Sequence, residues 1–259
     1  MPKYLQPLIV GNWKMNGTKE TAVNWINSIS HLVKQNTPNC DIVVAPPFPF
    51  IYAMSELLEA NRGIQLSGQD CVAQDMGPHT GDVNAAMLAD VGCGYVILGH
   101  SERRADHRES GTIVKGKAES AIAQGLTPIV CVGETQNERA CGEAIDAVRG
   151  QLGNSLPTLE ARSPSYVVAY EPIWAIGTGR VPDLEEISEI HDCLRDFLCH
   201  QLGKTGADIR LLYGGSVKVN NAEQILRIPN VNGCLVGGAS LKFDEFWNIC
   251  KTCDNIFPA

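Results

Sequence analysis

The stretch Tyr166-Val167-Val168-Ala169-Tyr170-Glu171-Pro172-Ile173-Trp174-Ala175-Ile176-Gly177-Thr178-Gly179, with the segment Asp183–Leu202 beyond it, decides the architecture. The apolar run Tyr166–Tyr170 reads as a buried strand and delivers the carboxylate of Glu171 at its end. Pro172 has no backbone donor, so the sheet ladder stops there. Gly177 and Gly179 close a short apolar loop where a backbone has to swing, or let its amides approach an anion. In Asp183–Leu202, the residues Ile187, Ile190, Leu194, Phe197 and Leu198 fall on one helical face, and Asp183 with Glu186 forms a capping-box pattern. The unit is strand, loop, helix. Taken alone, it suits an ordinary surface glutamate before a turn as well as a base under a closing flap.

Working outward, the same unit recurs. Strand-like runs occupy Leu8–Asn12, Asp41–Ala45, Gln65–Gln69, Tyr95–Leu98, Thr127–Val132, Tyr166–Tyr170, Ile209–Tyr213 and Gly233–Val236, with amphipathic stretches between them. Such alternation predicts parallel strands with right-handed crossovers. Eight units close most naturally into an α/β fold of the (β/α)8 barrel type, which is typically about this long. A doubly wound open sheet would want a glycine-rich nucleotide fingerprint after its first strand, and Val10-Gly11-Asn12-Trp13-Lys14 is not one. No linker, low-complexity tract or charge block divides residues 1–259, so a single domain is expected.

Composition narrows the function classes. The chain has 259 residues, 44% of them hydrophobic and 19% charged, as in a soluble globular enzyme. A net charge of −8 and the absence of a basic run argue against nucleic acid as a partner. No apolar run approaches the ~20 residues of a membrane span, and Met1–Pro7 does not read as a signal peptide, so a cytoplasmic location is expected. Ten cysteines lack metal or disulfide spacing: Cys40, Cys71, Cys93, Cys131 and Cys234 lie in or near apolar strands, and Cys250-Lys251-Thr252-Cys253 sits in a C-terminal helix. They read as reduced packing thiols.

In a barrel, chemistry gathers where the strands end. The first strand ends with Asn12 and Lys14, the fourth with Gly99-His100-Ser101-Glu102-Arg103, and the sixth with Glu171. The seventh runs into Gly214-Gly215-Ser216 and the eighth into Gly237-Gly238-Ala239-Ser240. Two glycine-rich turns on adjacent strands offer exposed amides at helix starts, the usual phosphate site of such a barrel. Singly, His100 reads as a structural histidine and Lys14 as a solvated cap. Together with Glu171 they supply an imidazole for a carbonyl, an amine for an anionic oxygen and a carboxylate for a proton.

The segments Gly11–Asn16, Gly99–Arg104, Cys131–Glu134, Tyr170–Gly179, Tyr213–Ser216 and Gly233–Leu241 resemble the triosephosphate isomerase family, in the family's order and over essentially the whole chain. The resemblance implies cofactor-free interconversion of dihydroxyacetone phosphate and glyceraldehyde 3-phosphate. It makes Glu171 the base, with Asn12, Lys14 and a neutral His100 stabilising an enediolate. The pairing of a glutamate base with a neutral histidine under a water-excluding loop is the family's known arrangement, so these roles come with the resemblance. Asn12, Lys14, Gly177, Ser216, Gly237 and Gly238 would bind substrate, no metal taking part. Glu102 would position Lys14, Cys131 would pack behind Glu171, and Tyr213 would support the flap. The family is dimeric, which implies a homodimer interface with Met15, Thr80, Asp82 and Arg103, Thr80 reaching the neighbour's Asn12 and Lys14.

The chain departs from the family's pattern at several positions. Gln69-Asp70 stands for Gln-Asn, Thr80-Gly81-Asp82 for Thr-Gly-Glu, and His107-Arg108 for Phe-Gly. Pro182 stands where many relatives offer a backbone N–H to the hydroxyl matching Tyr213, so the flap is expected to latch mainly through Ser216 to Gly179. Two other readings remain: a different phosphosugar enzyme on the same barrel, or a catalytically retired barrel serving as a scaffold.

Overall fold

The structure is a computed structural model that describes residues 5–58, 63–157, 166–176 and 182–257. Eight strands form one closed parallel barrel in sequence order: β1 (Leu8–Asn12), β2 (Asp41–Ala45), β3 (Ile64–Gly68), β4 (Cys93–Leu98), β5 (Thr127–Val132), β6 (Val167–Tyr170), β7 (Leu211–Tyr213) and β8 (Gly233–Val236). β8 closes on β1, with Leu8 opposite Gly233 and Gly11 opposite Val236.

Around it run α1 (Lys19–Gln35), α2 (Phe48–Leu58), α3 (Ala85–Asp90), α4 (Ser101–Asp106), α5 (Gly111–Ala123), α6 (Gln136–Ala140), α7 (Ala144–Ser155), α8 (Leu184–Leu202), α9 (Ala222–Leu226) and α10 (Phe243–Ile256). The expected cap of α8 is present: Asp183 Oδ1 accepts from the Glu186 amide at 2.8 Å, and Glu186 Oε2 accepts from the Asp183 amide at 3.0 Å. No helix among the described residues is long and apolar enough to cross a membrane.

Strand periodicity sorts the core into two shells. Leu8, Val10, Val43, Ala45, Tyr95, Ile97, Ile129, Cys131, Val167, Ala169, Leu212 and Leu235 fill the barrel axis. Their alternates, among them Ile9, Val44, Val96, Val130, Val168, Tyr170, Tyr213 and Val236, pack outward under the helices. The same parity aims the functional residues. Asn12 follows Val10, Glu171 follows Ala169, Gly214 follows Leu212 and Gly237 follows Leu235, all on the axis side of the carboxyl-end rim.

Four strands match the expected bounds, and four shift. β3 starts at Ile64 and stops before Gln69, which instead donates its Nε2 to the carbonyls of Lys14 at 2.9 Å and Ala45 at 2.8 Å. β4 begins at Cys93, which pairs with Leu66. β6 begins at Val167. β7 begins at Leu211, because a 3-10 turn over Gly203–Asp208 leads the chain in and Ile209 caps it. All ten cysteines are free thiols, seven of them buried.

Candidate active site

The carboxyl ends of the strands open onto a cavity of about 620 Å³. Asn12 and Lys14 from the end of β1, His100 after β4, Glu171 after β6, Gly214–Ser216 after β7 and Gly237–Gly238 after β8 all line it. Residues from both ends of the chain are thereby brought to one space. Gly177 and Gly179 lie outside the described residues.

Glu171 is buried and held by two donors. His100 Nε2 lies 2.9 Å from its Oε1, and the Ser101 amide donates to its Oε2 at 3.0 Å. Gly133 makes this seat possible, since a Cβ there would lie within 1.7 Å of the Glu171 carbonyl oxygen. Burial pushes the Glu171 carboxyl upward, but His100, the Ser101 amide and Lys14 outweigh it, and the net shift is downward. The carboxyl group is ionised where it sits.

His100 caps α4, and its Nδ1 accepts from the Glu102 amide at 3.3 Å. A nitrogen accepting a hydrogen bond carries no proton, so the proton of the neutral ring is on Nε2, facing Glu171. By parity, residue 100 would point outward; Gly99 at φ +64° turns the chain so that the imidazole faces the cavity. Burial lowers the His100 pKa, while the Glu171 carboxylate more than offsets this and raises it.

Lys14 adopts φ +54°, a left-handed backbone rare for a side chain of this kind. Its amide donates to Asn12 Oδ1 at 3.1 Å, its carbonyl accepts from Gln69, and its Nζ meets Glu102 Oε1 at 2.6 Å. Committing Asn12 Oδ1 to this amide leaves Nδ2 as the donor available to a ligand. Opposite, a Cβ on Gly238 would meet nothing within 4 Å, and one on Gly237 would only touch Lys14 Cε at 3.9 Å, so both backbones stand open to the cavity.

Among the other expected residues, Cys131 is fully buried on the axis, in contact with Glu171. Tyr213 is fully buried, and its hydroxyl finds no hydrogen-bond partner among the described residues. Met15 is 95% exposed, and Thr80 and Asp82 are exposed. Arg103 is engaged within its own chain, with Asp70 at 2.8 Å and Glu109 at 2.7 Å. Arg104 braces the loop, donating to the carbonyls of Gly99 at 2.8 Å and Cys131 at 3.0 Å. Arg108 takes φ +57°, a conformation that the glycine of the common Phe-Gly pair adopts without strain.

Sequence reading missed two groups. The Ser101 amide was one. The other is Glu134, whose Oε1 gathers Arg139 at 2.8 Å, the Tyr170 hydroxyl at 3.1 Å and Trp174 Nε1 at 2.8 Å, tying down the entry to the apolar loop. The one available signal was an acidic residue two positions past the end of a mostly apolar strand.

A family model described as triosephosphate isomerase matches residues 7–253. The triosephosphate isomerase of Bradyrhizobium sp. (strain ORS 278) is 46% identical over 253 residues, covering 98% of this chain and 100% of the relative. That of Ruegeria sp. (strain TM1040) is 48% identical over 240 residues, covering 92% and 94%. Among solved structures, the triosephosphate isomerase of Bartonella henselae superposes with a TM-score of 0.88 at 38% identity, covering 96% of this chain and 99% of that one.

Proposed function

Since the chain belongs to the triosephosphate isomerase family and is thus an isomerase of triose phosphates, we propose that it interconverts dihydroxyacetone phosphate and D-glyceraldehyde 3-phosphate by Glu171-mediated proton transfer through an enediolate. One observation carries this reading: a buried ionised carboxylate, an imidazole N–H and a lysine share one cavity with two open glycine turns.

The substrate phosphate sits on the amides of Ser216, Gly237 and Gly238, with Gly177 joining from the flap. Glu171 leaves His100 and Ser101 and takes a proton from the carbon next to the carbonyl. Negative charge then develops on the carbonyl oxygen, where His100 Nε2–H, Lys14 Nζ and Asn12 Nδ2 are the donors. The hydroxyl proton of the first carbon's oxygen passes to the oxygen of the second, and Glu171 returns its own proton to that second carbon, which leaves the aldehyde at the first. Once the carboxylate has moved off, the influence that raises the His100 pKa goes with it, and burial then favours the neutral ring. Glu102 holds Lys14, and Cys131 fills the space behind the base.

The chain works as a cytoplasmic homodimer in this reading, supported by the exposed Met15 and by Met76, itself 77% exposed, on the loop that carries Thr80 and Asp82. Arg103 faces that interface while held by its own chain. The test is conversion of glyceraldehyde 3-phosphate without added cofactor. Glu171→Asp withdraws the carboxylate by one methylene and is expected to lose about 100-fold in kcat. An inactive wild type, or a fully active Glu171→Asp, overturns the mechanism.

A further inference from the structure

The site has an electrostatic problem. Its ligand is a phosphate dianion, the chain carries a net charge of −8, and the cavity holds the ionised Glu171. Of the other charged residues lining it, Lys14 is neutralised by Glu102 at 2.6 Å, and Glu245 by Lys242 at 2.7 Å. One charged residue remains. Lys218 lines the same cavity, is exposed, and forms no ion pair among the described residues.

Its backbone is fixed beside the phosphate turn. The Lys218 amide donates to Asn221 Oδ1 at 2.7 Å, Asn221 Nδ2 donates to the Ser216 carbonyl at 3.0 Å, and the Lys218 carbonyl accepts from Ala222 at 3.0 Å. The cation is therefore anchored two residues from Ser216 while its long stem reaches into solvent. Next to it, Val219 is exposed and apolar and offers no competing charge.

We propose that Lys218 is a steering residue: it offsets the charge of Glu171 at the mouth and draws the phosphate dianion onto the Ser216 and Gly237–Gly238 turns. This rests on the triose phosphate reading above. A unit charge at a cavity mouth acts on a dianion before contact, so its effect falls on association and weakens with salt. The turnover step, which follows docking, is untouched.

The experiment measures kcat/KM for glyceraldehyde 3-phosphate from about 10 to 500 mM ionic strength, for wild type, Lys218→Arg, Lys218→Met and Lys218→Glu. Unphosphorylated glyceraldehyde serves as the neutral substrate. Lys218→Met is expected to lose about three- to fivefold in kcat/KM at low salt and Lys218→Glu about tenfold or more, converging on wild type at high salt. Lys218→Arg keeps the wild-type profile, and glyceraldehyde turnover is the same in all four. Equal losses on both substrates would mark a structural role and overturn the proposal, as would salt profiles that coincide. A wild type inactive on the phosphorylated substrate would instead sink the underlying reading.

Discussion

The proposed mechanism needs a flap closed over the substrate, and Tyr213 and Ser216 are expected to contribute unequally to holding it. Tyr213 is fully buried beneath the helices, tilted against Tyr170 at 6.3 Å, and its hydroxyl has no partner among the described residues. Pro182 has no N–H to give. Tyr213→Phe therefore removes a buried polar atom that makes no bond among the described residues. Leaving such a group unsatisfied costs about 1–3 kcal/mol, so its removal is expected to raise stability by about 1 kcal/mol, or ~2–4 °C in Tm for a chain of this size. Activity should change by less than about twofold.

In the proposed site, Ser216→Ala keeps the phosphate-binding amide and deletes only the hydroxyl, which is expected to latch the flap through Gly179, a residue outside the described ones. A lost hydrogen bond that leaves its partner unpaired costs about 1.4–2.7 kcal/mol, or ten- to a hundredfold in kcat/KM. A flap that closes poorly also lets the enediolate expel phosphate. The assay is thus isomerase turnover together with inorganic phosphate released per turnover, rising for Ser216→Ala and unchanged for Tyr213→Phe. Equal losses in the two variants would refute the division.

Two further perturbations test the framework around the site. Lys117 is buried between Asp70, at 2.8 Å, and Glu109, at 2.6 Å, so Lys117→Met leaves two carboxylates sharing the half-buried Arg103 alone and should cost about 3 kcal/mol in urea denaturation, whereas Asp70→Asn, which removes a charge and leaves both cations paired with Glu109, should cost far less; similar losses would refute the ion-pair account. Burial lowers the pKa of His191 to about 4, against a weaker opposing effect of the Asn230 carbonyl, so between pH 6.5 and 4 the unfolded chain binds a proton that the folded chain refuses. Stability should fall by roughly 3 kcal/mol as pH drops through that window, and His191→Phe should flatten the slope; an unchanged slope would assign the acid sensitivity elsewhere.

The barrel was legible because its signal is local. β1, β2, β5 and β8 match residue for residue, each an apolar run bounded by turn chemistry. The rim residues were legible by strand parity once the barrel was assumed. What escaped were contacts without a periodic signature. Trp174 reaches Glu134 across 40 positions, and Lys117 reaches Asp70 across 47. The substitution of Asp for Asn at position 70 was visible as a departure, but not its consequence. A second buried carboxylate needed a second cation, and both Lys117 and Arg103 lie 2.8 Å from it. Likewise the left-handed backbone of Lys14 leaves no mark in the sequence, since lysine is not a residue that favours it.

The seat of Glu171 also gives a reason why catalysis of the proposed kind depends on a phosphate remote from the reacting carbons. Glu171 is kept ionised by His100 and the Ser101 amide, the partners it has to abandon before it can act. In its resting seat it is a weak base, because those donors hold its pKa down against burial. Moved onto a substrate that excludes water, it keeps the burial and loses the donors, so its proton affinity rises just where a proton is to be taken. Breaking two charge-assisted hydrogen bonds costs several kcal/mol, and a three-carbon fragment has too few groups to supply it. In the proposed mechanism the phosphate has them, through the glycine turns on β7 and β8. A substrate lacking phosphate should therefore lose more in kcat than in KM, because the binding energy it forgoes is the part spent on moving the base.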